Sequence, residues 1–316
     1  DTTKIKFIVS GSSSLELTFQ TGKYMVGRMF TLRLFPFSFR EYVSIKDADL
    51  YRLLENDKNF LDAELPKFFD SQINKRIENY FREYIIFGGY PAPSLENDPE
   101  IKKQLLASIL NNYLLKDIKS LLSLITDQEL VNLSKFLAVQ IGNLISYQEL
   151  GSASGLSVAN VKKHLKILEE TYIIAIIKPF FTNKRVELVK TPKVYFRDTG
   201  FRNLIMENFN SLELRPDKGA LIENFVCTHL LFSKGAFSPL NFWRTKSQAE
   251  VDFVLQKGKD IIPVEVKYGA DPGIGKSLYS FIDKFSPKKA FVLTMGYTDI
   301  RHIGKTTVIF APAYYL

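Results

Sequence analysis

Asp252, Glu265 and Lys267 are spaced for chemistry on a phosphate ester. Val251, Phe253 and Leu255 alternate with Glu250, Asp252 and Val254, which is the period of a strand. Ile262, Val264 and Val266 alternate with Pro263, Glu265 and Lys267 in a second run. A short polar loop centred on Gly258 joins them and predicts a hairpin. Pairing Gln256 with Ile261 then sets Asp252 opposite Glu265, on the face away from the apolar residues. Like charges facing each other weaken a strand pair, and a shared divalent cation is the simplest remedy. Oxygen-only ligands suit Mg²⁺, which polarises a phosphate ester and acidifies an attacking water. Lys267, two residues beyond Glu265, shares its face and would orient that water or offset developing charge. Glu223, one turn into a helix, would supply a third acid. The same residues also fit a solvated strand face, with Glu223 an acid favoured by a helix N-terminus.

The elements that must position these residues run through the C-terminal part. A helix following Gly219 carries Glu223, Val226 and Leu230. Beyond the hairpin, Ser277–Phe285 reads as a helix, and Ala290–Thr294 and Thr307–Ala311 read as strands. Together residues 191–316 predict an α/β domain. Residues 131–190 read as a winged helix. Ser146 opens a short helix with a capping box to Glu149. Ser157 caps a second helix whose core stripe is Val158, Val161, Leu165 and Leu168, with His164 at the surface or partly packed. A strand (Ile173–Lys178), a basic tip at Lys184 and Arg185, and a returning strand (Val186–Val189) form the wing. Asn160, Lys162, Lys163, Lys166, Lys184 and Arg185 are the candidate nucleic-acid contacts, lysines and arginine for phosphates and Asn160 for a base edge.

Residues 46–130 read as a helical lid or linker. One stripe holds Phe68, Ile73, Ile77, Tyr80, Phe81 and Tyr84, ending at Gly88-Gly-Tyr-Pro91. A second holds Ile101, Leu105, Ile109, Leu110 and Tyr113. These aromatics are core by their helical spacing. Residues 1–45 contain a strand (Lys4–Ser10), a Gly/Ser turn, a short helix, a strand (Phe30–Leu34) and a helix from Ser38 to Val43. A single α/β unit cannot cover both faces of a parallel sheet, so this segment reads as part of a larger α/β domain.

Composition narrows the classes. The 316 residues are 46% hydrophobic and 24% charged, as in an ordinary globular protein long enough for several domains. The longest apolar run, Tyr172–Ile177, is strand length, so no membrane span is expected. A single cysteine, Cys227, excludes an internal disulfide and a Cys-rich zinc site, and suits the cytoplasm. Three histidines on separate elements lack metal-ligand spacing. The net charge of +8 permits a phosphate-rich partner without requiring one.

The constellation Asp252 with Glu265-Val-Lys267 resembles the signature of restriction-endonuclease-like domains, with Val251 where that signature has proline. The whole chain resembles prokaryotic AAA-type ATP-binding proteins that end in a nuclease-like domain of unknown function. The motifs that carry the likeness are Ser10-Gly-Ser-Ser-Ser14, Gly27-Arg28, Leu34-Phe-Pro-Phe-Ser-Phe-Arg-Glu41, Gly88-Gly-Tyr-Pro91, Val194-Tyr-Phe-Arg-Asp-Thr-Gly200, Glu223-Asn-Phe-Val226, Glu250-Val-Asp-Phe-Val254 and Val264-Glu-Val-Lys267. The resemblance implies a multidomain protein: a partial P-loop ATPase core (1–45), a helical linker (46–130), a winged helix (131–190) and an endonuclease-like α/β domain (191–316). It also implies Ser12 near the γ-phosphate of ATP, Arg28 as a phosphate-sensing cation, and homo-oligomers formed through the ATPase part. The phosphate loop and acidic Mg²⁺ strand of such ATPases are expected upstream of the Ser10 strand, so ATP binding requires that region. Gly269–Ser277 nearly spells a phosphate loop, but its spacing is one residue too long. Gly304-Lys-Thr-Thr307 precedes a strand rather than a helix. The function implied is action on DNA with Mg²⁺ at Asp252 and Glu265; the competing reading is a non-catalytic DNA- or protein-binding regulator.

Overall fold

Short capping residues set the helix starts of the N-terminal half. In the computed structural model, residues 8, 32–55, 61, 68–112, 118, 128–180, 191–233, 239–269 and 272–316 are described. Ser38 makes a reciprocal capping box with Glu41 at the start of α1 (Phe39–Lys46). Two further helices follow, α2 (Ala48–Glu55) and α3 (Ser71–Phe87), the latter capped by Asp70. Gly88, at φ +74°, ends α3, a conformation that glycine adopts without cost. Proline opens both α4 (Pro91–Leu95) and α5 (Pro99–Ile109). Then come α6 (Gln128–Val139), α7 (Tyr147–Ser154) and α8 (Val158–Glu170).

Strands β1 (Ile174–Pro179) and β2 (Lys193–Phe196) pair antiparallel and are followed by α9 (Thr199–Ile205) and α10 (Lys218–Ser233). The remaining elements are β3 (Leu240–Arg244), β4 (Glu250–Lys257), β5 (Asp260–Val266), α11 (Lys276–Phe285), β6 (Lys289–Thr294), β7 (Asp299–Ile303) and β8 (Thr306–Pro312). The eight strands of the described residues form one mixed sheet in the order β2-β1-β3-β4-β5-β6-β8-β7. The β3–β4–β5 meander is antiparallel, and β5, β6 and β8 are parallel. The chain therefore folds as mixed α/β.

The sheet is covered on both sides. Phe253, Val264, Phe291 and Ile309 join Ile222, Phe225 and Val226 of α10 in one core. Val254, Val292, Val308 and Phe310 join Leu278, Phe281 and Ile282 of α11 in the other. β1 also pairs parallel with β3 through Lys178 and Asn241, so the strand expected as half of a wing is an interior strand of this sheet. The basic tip and returning strand at 181–190 lie outside the described residues. So do Ser12 and Arg28 and most of residues 1–31.

Several local expectations are corrected. Residues 32–34 are not a strand; Leu32 and Leu34 are exposed, and no described strand flanks them to take up their backbone groups. On α5 the buried positions are Lys102 and Leu106, while Ile101 is exposed. Lys102 is drawn inward by Glu83 at 2.6 Å and by the Phe87 ring, 5.2 Å from its ammonium. On α8, Val158 is exposed and His164 is buried, its Nδ1 bonded to the Asn160 carbonyl at 2.7 Å.

Two glycine motifs interlock α3 with α9. The Asp198 carboxylate caps α9 at Phe201 N and also accepts from Gly89 N at 2.7 Å. A side chain at Gly200 would put its Cβ 2.0 Å from the Phe87 carbonyl oxygen. Gly200→Ala should therefore destabilise the protein by about 1–3 kcal/mol, read as a lowered urea midpoint. An unchanged midpoint would mean that α9 tolerates displacement from α3.

Candidate functional site

The hairpin takes the predicted register, with Gln256 opposite Ile261 and Phe253 opposite Val264. Beyond that pair the backbone ladder stops. The Asp252 carboxylate, rather than a main-chain carbonyl, receives the Val266 N–H at 2.8 Å. The cause is local: β4 shifts register against β3 between Asn241 and Trp243, which inserts an extra residue near Asp252.

The face expected to lie away from the apolar residues carries a core of its own. Glu265 pairs with Val292, a core residue of the α11 side, and its side chain is only 2% exposed. Its Oε2 is buried without a hydrogen-bond partner. Lys267 Nζ lies 3.5 Å away, an ion-pair contact. Gly275, which precedes α11, backs directly onto this carboxylate; a Cβ there would lie 3.4 Å from Oε2. Burial pushes the Glu265 pKa up, opposed by Lys267.

Glu223 reaches the region from α10. Tyr195 Oη donates to its Oε1 at 2.5 Å, and Lys193 Nζ lies 3.2 Å from the same oxygen. Lys193 also pairs with Glu250 at 2.6 Å, and Glu250 pairs with Arg244 at 2.6 Å. Asp252 sits between the two sets of charges. Burial first, then repulsion from Glu223 and Glu265, pushes its carboxyl up to about 8 despite Lys193 and the Val266 N–H.

The sequence reading missed Lys193, Tyr195 and Glu250. Lys193 opens the strand segment Lys193-Val-Tyr-Phe196 and is fully inside. A strand lysine with no polar neighbours in its own run is a detectable sign of a buried ion pair, but its partners come from α10 and β4.

Among the described residues no group of three or more His, Cys, Asp or Glu side chains is arranged to hold a metal ion. Asp252 and Glu265 remain as a two-carboxylate candidate. On α8, Asn160, Lys162, Lys163 and Lys166 are all exposed. Lys162 stacks 5.2 Å over Tyr147, and Lys166 faces Glu170 at 3.8 Å. No helix of the described residues is long and apolar enough to cross a membrane.

Residues 1–43 match an AAA domain model, 78–212 a domain of unknown function (DUF8612) and 218–314 another (DUF4143). An uncharacterized protein of Mycobacterium tuberculosis is 28% identical over 174 residues, 54% of this chain and 39% of that protein. One of Methanocaldococcus jannaschii is 24% identical over 262 residues, 81% of this chain and 54% of that protein. One of Haemophilus influenzae is 22% identical over 270 residues, 83% and 58% of the two chains. The chain thus spans about half the length of the curated relatives it matches. The match over residues 1–43 likens this end of the chain to AAA-type ATPases.

Proposed function

We propose that this ATPase-like chain acts on nucleic acid through Mg²⁺-dependent phosphodiester hydrolysis at Asp252, Glu265 and Lys267. The observation that carries the reading is the Glu265 Oε2 atom, buried without a hydrogen-bond partner beside an ammonium and a bare glycine. The contact it does have is the Lys267 ammonium at 3.5 Å, too long for a hydrogen bond, and a cation would complete the pairing of this buried oxygen. Mg²⁺ commonly keeps several waters and takes only one or two protein carboxylates, so Asp252 and Glu265 fit it without a third acid. When bound, the ion would supply Lewis-acid polarisation of the ester and an acidified water.

The chain's own groups have separate tasks. Asp252 is held in place by the Val266 N–H and must lose its proton to serve as a ligand. Glu223, tied to Lys193 and Tyr195, acts as a fixed negative charge tuning Asp252 rather than as a ligand. Lys267, partly exposed beside Glu265, would turn its ammonium to a phosphate oxygen. Exposed Lys163 and its neighbours on α8, with Lys184 and Arg185, would add backbone contacts. ATP would act through the AAA-type part, with Ser12 and Arg28 near its phosphates and homo-oligomers assembled there.

A second reading is a DNA-binding regulator that does not cut. It is favoured by Lys193 and Arg244, which already neutralise Glu223 and Glu250. Plasmid and single-stranded DNA incubated with Mg²⁺ or with EDTA separates the two. Nicked or shortened products that require Mg²⁺ support hydrolysis. Retarded but uncut DNA, released on charge reversal of Lys163, supports the regulator.

A further inference from the structure

We infer that the chain holds a stacking pocket for one unpaired base, so that its substrate class is single-stranded nucleic acid; this rests on the hydrolytic reading above. A cavity of about 440 Å³ lies at the carboxyl ends of the parallel strands β5 and β6. It is lined by Arg82, Tyr268, Gly269, Met295, Gly296 and Tyr297. Its size falls in the range of small-molecule sites, roughly 300–1,000 Å³. The crevice beyond the carboxyl ends of parallel strands is where open α/β sheets take ligands.

Tyr268 directly follows Lys267, so the cavity begins one residue from the proposed reacting centre. The two tyrosines come from opposite sides of the sheet, Tyr268 packing on the α10 core and Tyr297 on the α11 core. The walls are preorganised. Lys267 N–H donates to the Leu293 carbonyl at 2.8 Å, locking the two strand ends together. The buried Thr294 hydroxyl donates to the Tyr297 carbonyl at 2.8 Å and accepts from Gly296 N, fixing the turn that carries Tyr297. Arg301 donates to the Tyr297 hydroxyl at 2.7 Å, which orients that ring.

Charge around the rings is mixed, since Arg301 pairs with Asp299 at 2.6 Å and Arg82 with Glu78 and Glu213. The Lys218 ammonium stands 4.8 Å from the Tyr268 ring centre, and the Arg301 guanidinium 5.9 Å from that of Tyr297. Two tyrosines lining one cavity, with the Lys218 ammonium over one of the rings, match the stacking platform and cation of a single-strand site. A duplex keeps its base faces stacked on each other and cannot fill such a cavity without extruding a base.

The test is fluorescence anisotropy of a labelled single-stranded DNA and its duplex, in EDTA, with the full chain and three variants. Wild type should bind the single strand more tightly than the duplex. Tyr268→Ala and Tyr268→Leu should each weaken single-strand binding about 10-fold, leaving duplex binding unchanged. Tyr268→Phe, which keeps the ring, should restore it. Tyr268→Leu retains apolar bulk, so loss of binding with an unchanged melting temperature reports stacking and not misfolding. Equal affinity for the two DNAs, or no loss in Tyr268→Leu, overturns the pocket whatever the nicking assay shows. Failure of Mg²⁺-dependent cutting with stacking intact removes the hydrolytic reading instead.

Discussion

Replacing Asp217 by alanine should destabilise the protein by about 3–5 kcal/mol, measured by urea unfolding near neutral pH. Asp217 bridges two buried guanidinium groups. Arg215 reaches it from Nε at 2.9 Å, and Arg202 donates to its Oδ2. Arg202 also donates twice to the Ala138 carbonyl at the end of α6. Arg215 bonds Asn203, whose amide in turn donates to the Ile85 and Ile86 carbonyls of α3. Removing one carboxylate leaves two desolvated cations at the junction of α3, α6, α9 and α10. Despite its partial burial, the two arginines draw the Asp217 pKa down to about 2. The folded pKa lies below that of an unfolded aspartate, about 3.9. The contribution is therefore present above that value and lost as pH falls towards 2. The alanine variant should lose less stability than wild type across that acid window. A loss under about 1 kcal/mol at neutral pH would mean that water reaches both guanidiniums.

Asp252→Ala should lower any Mg²⁺-dependent cleavage by at least about 100-fold, since even residues that only support a metal ligand cost 10–100-fold when removed. Lys267→Ala should slow cleavage, because the phosphate loses its ammonium partner. The pH dependence follows from the raised Asp252 pKa of about 8. Below that pH the carboxyl is protonated, and a cation must displace the proton to bind. Cleavage should rise with pH up to about 8 and then level off. The stability of the folded protein alone should show the opposite slope. A raised carboxyl pKa contributes stability that is lost as pH climbs from about 4 through 8. Asp252→Asn, with no proton to lose, should flatten that decline.

Much of this was legible in the sequence where one period dominates. Alternation gave the β4–β5 hairpin and its register, and the three- and four-residue spacing gave α3 and α10. Ser38 and Ser157 marked helix starts because a short side chain there meets free N–H groups. β3 and β7 were not legible. Five residues carry little periodicity, and β7 is an edge strand whose Asp299, Arg301 and His302 remain partly exposed.

The site was half legible. Residue types and spacing picked out Asp252, Glu265 and Lys267, but not the second core on their side of the sheet. That core depends on α11 folding back over the strands, a long-range event. Lys193 was hidden for the same reason, since Glu223 and Glu250 reach it only after α10 and β4 pack on β2. The motifs Gly88-Gly89 and Asp198-Thr-Gly200 proved to be one joint between two helices, where backbone crowding admits only glycine.

Calorimetric titration of the wild-type chain with Mn²⁺, repeated with Glu265→Gln and in two buffers of different ionisation enthalpy, tests the cation site most directly. One ion should bind at neutral pH with release of a proton, and the variant should lose that binding. No saturable uptake, or identical uptake by the variant, would contradict a cation shared by Asp252 and Glu265.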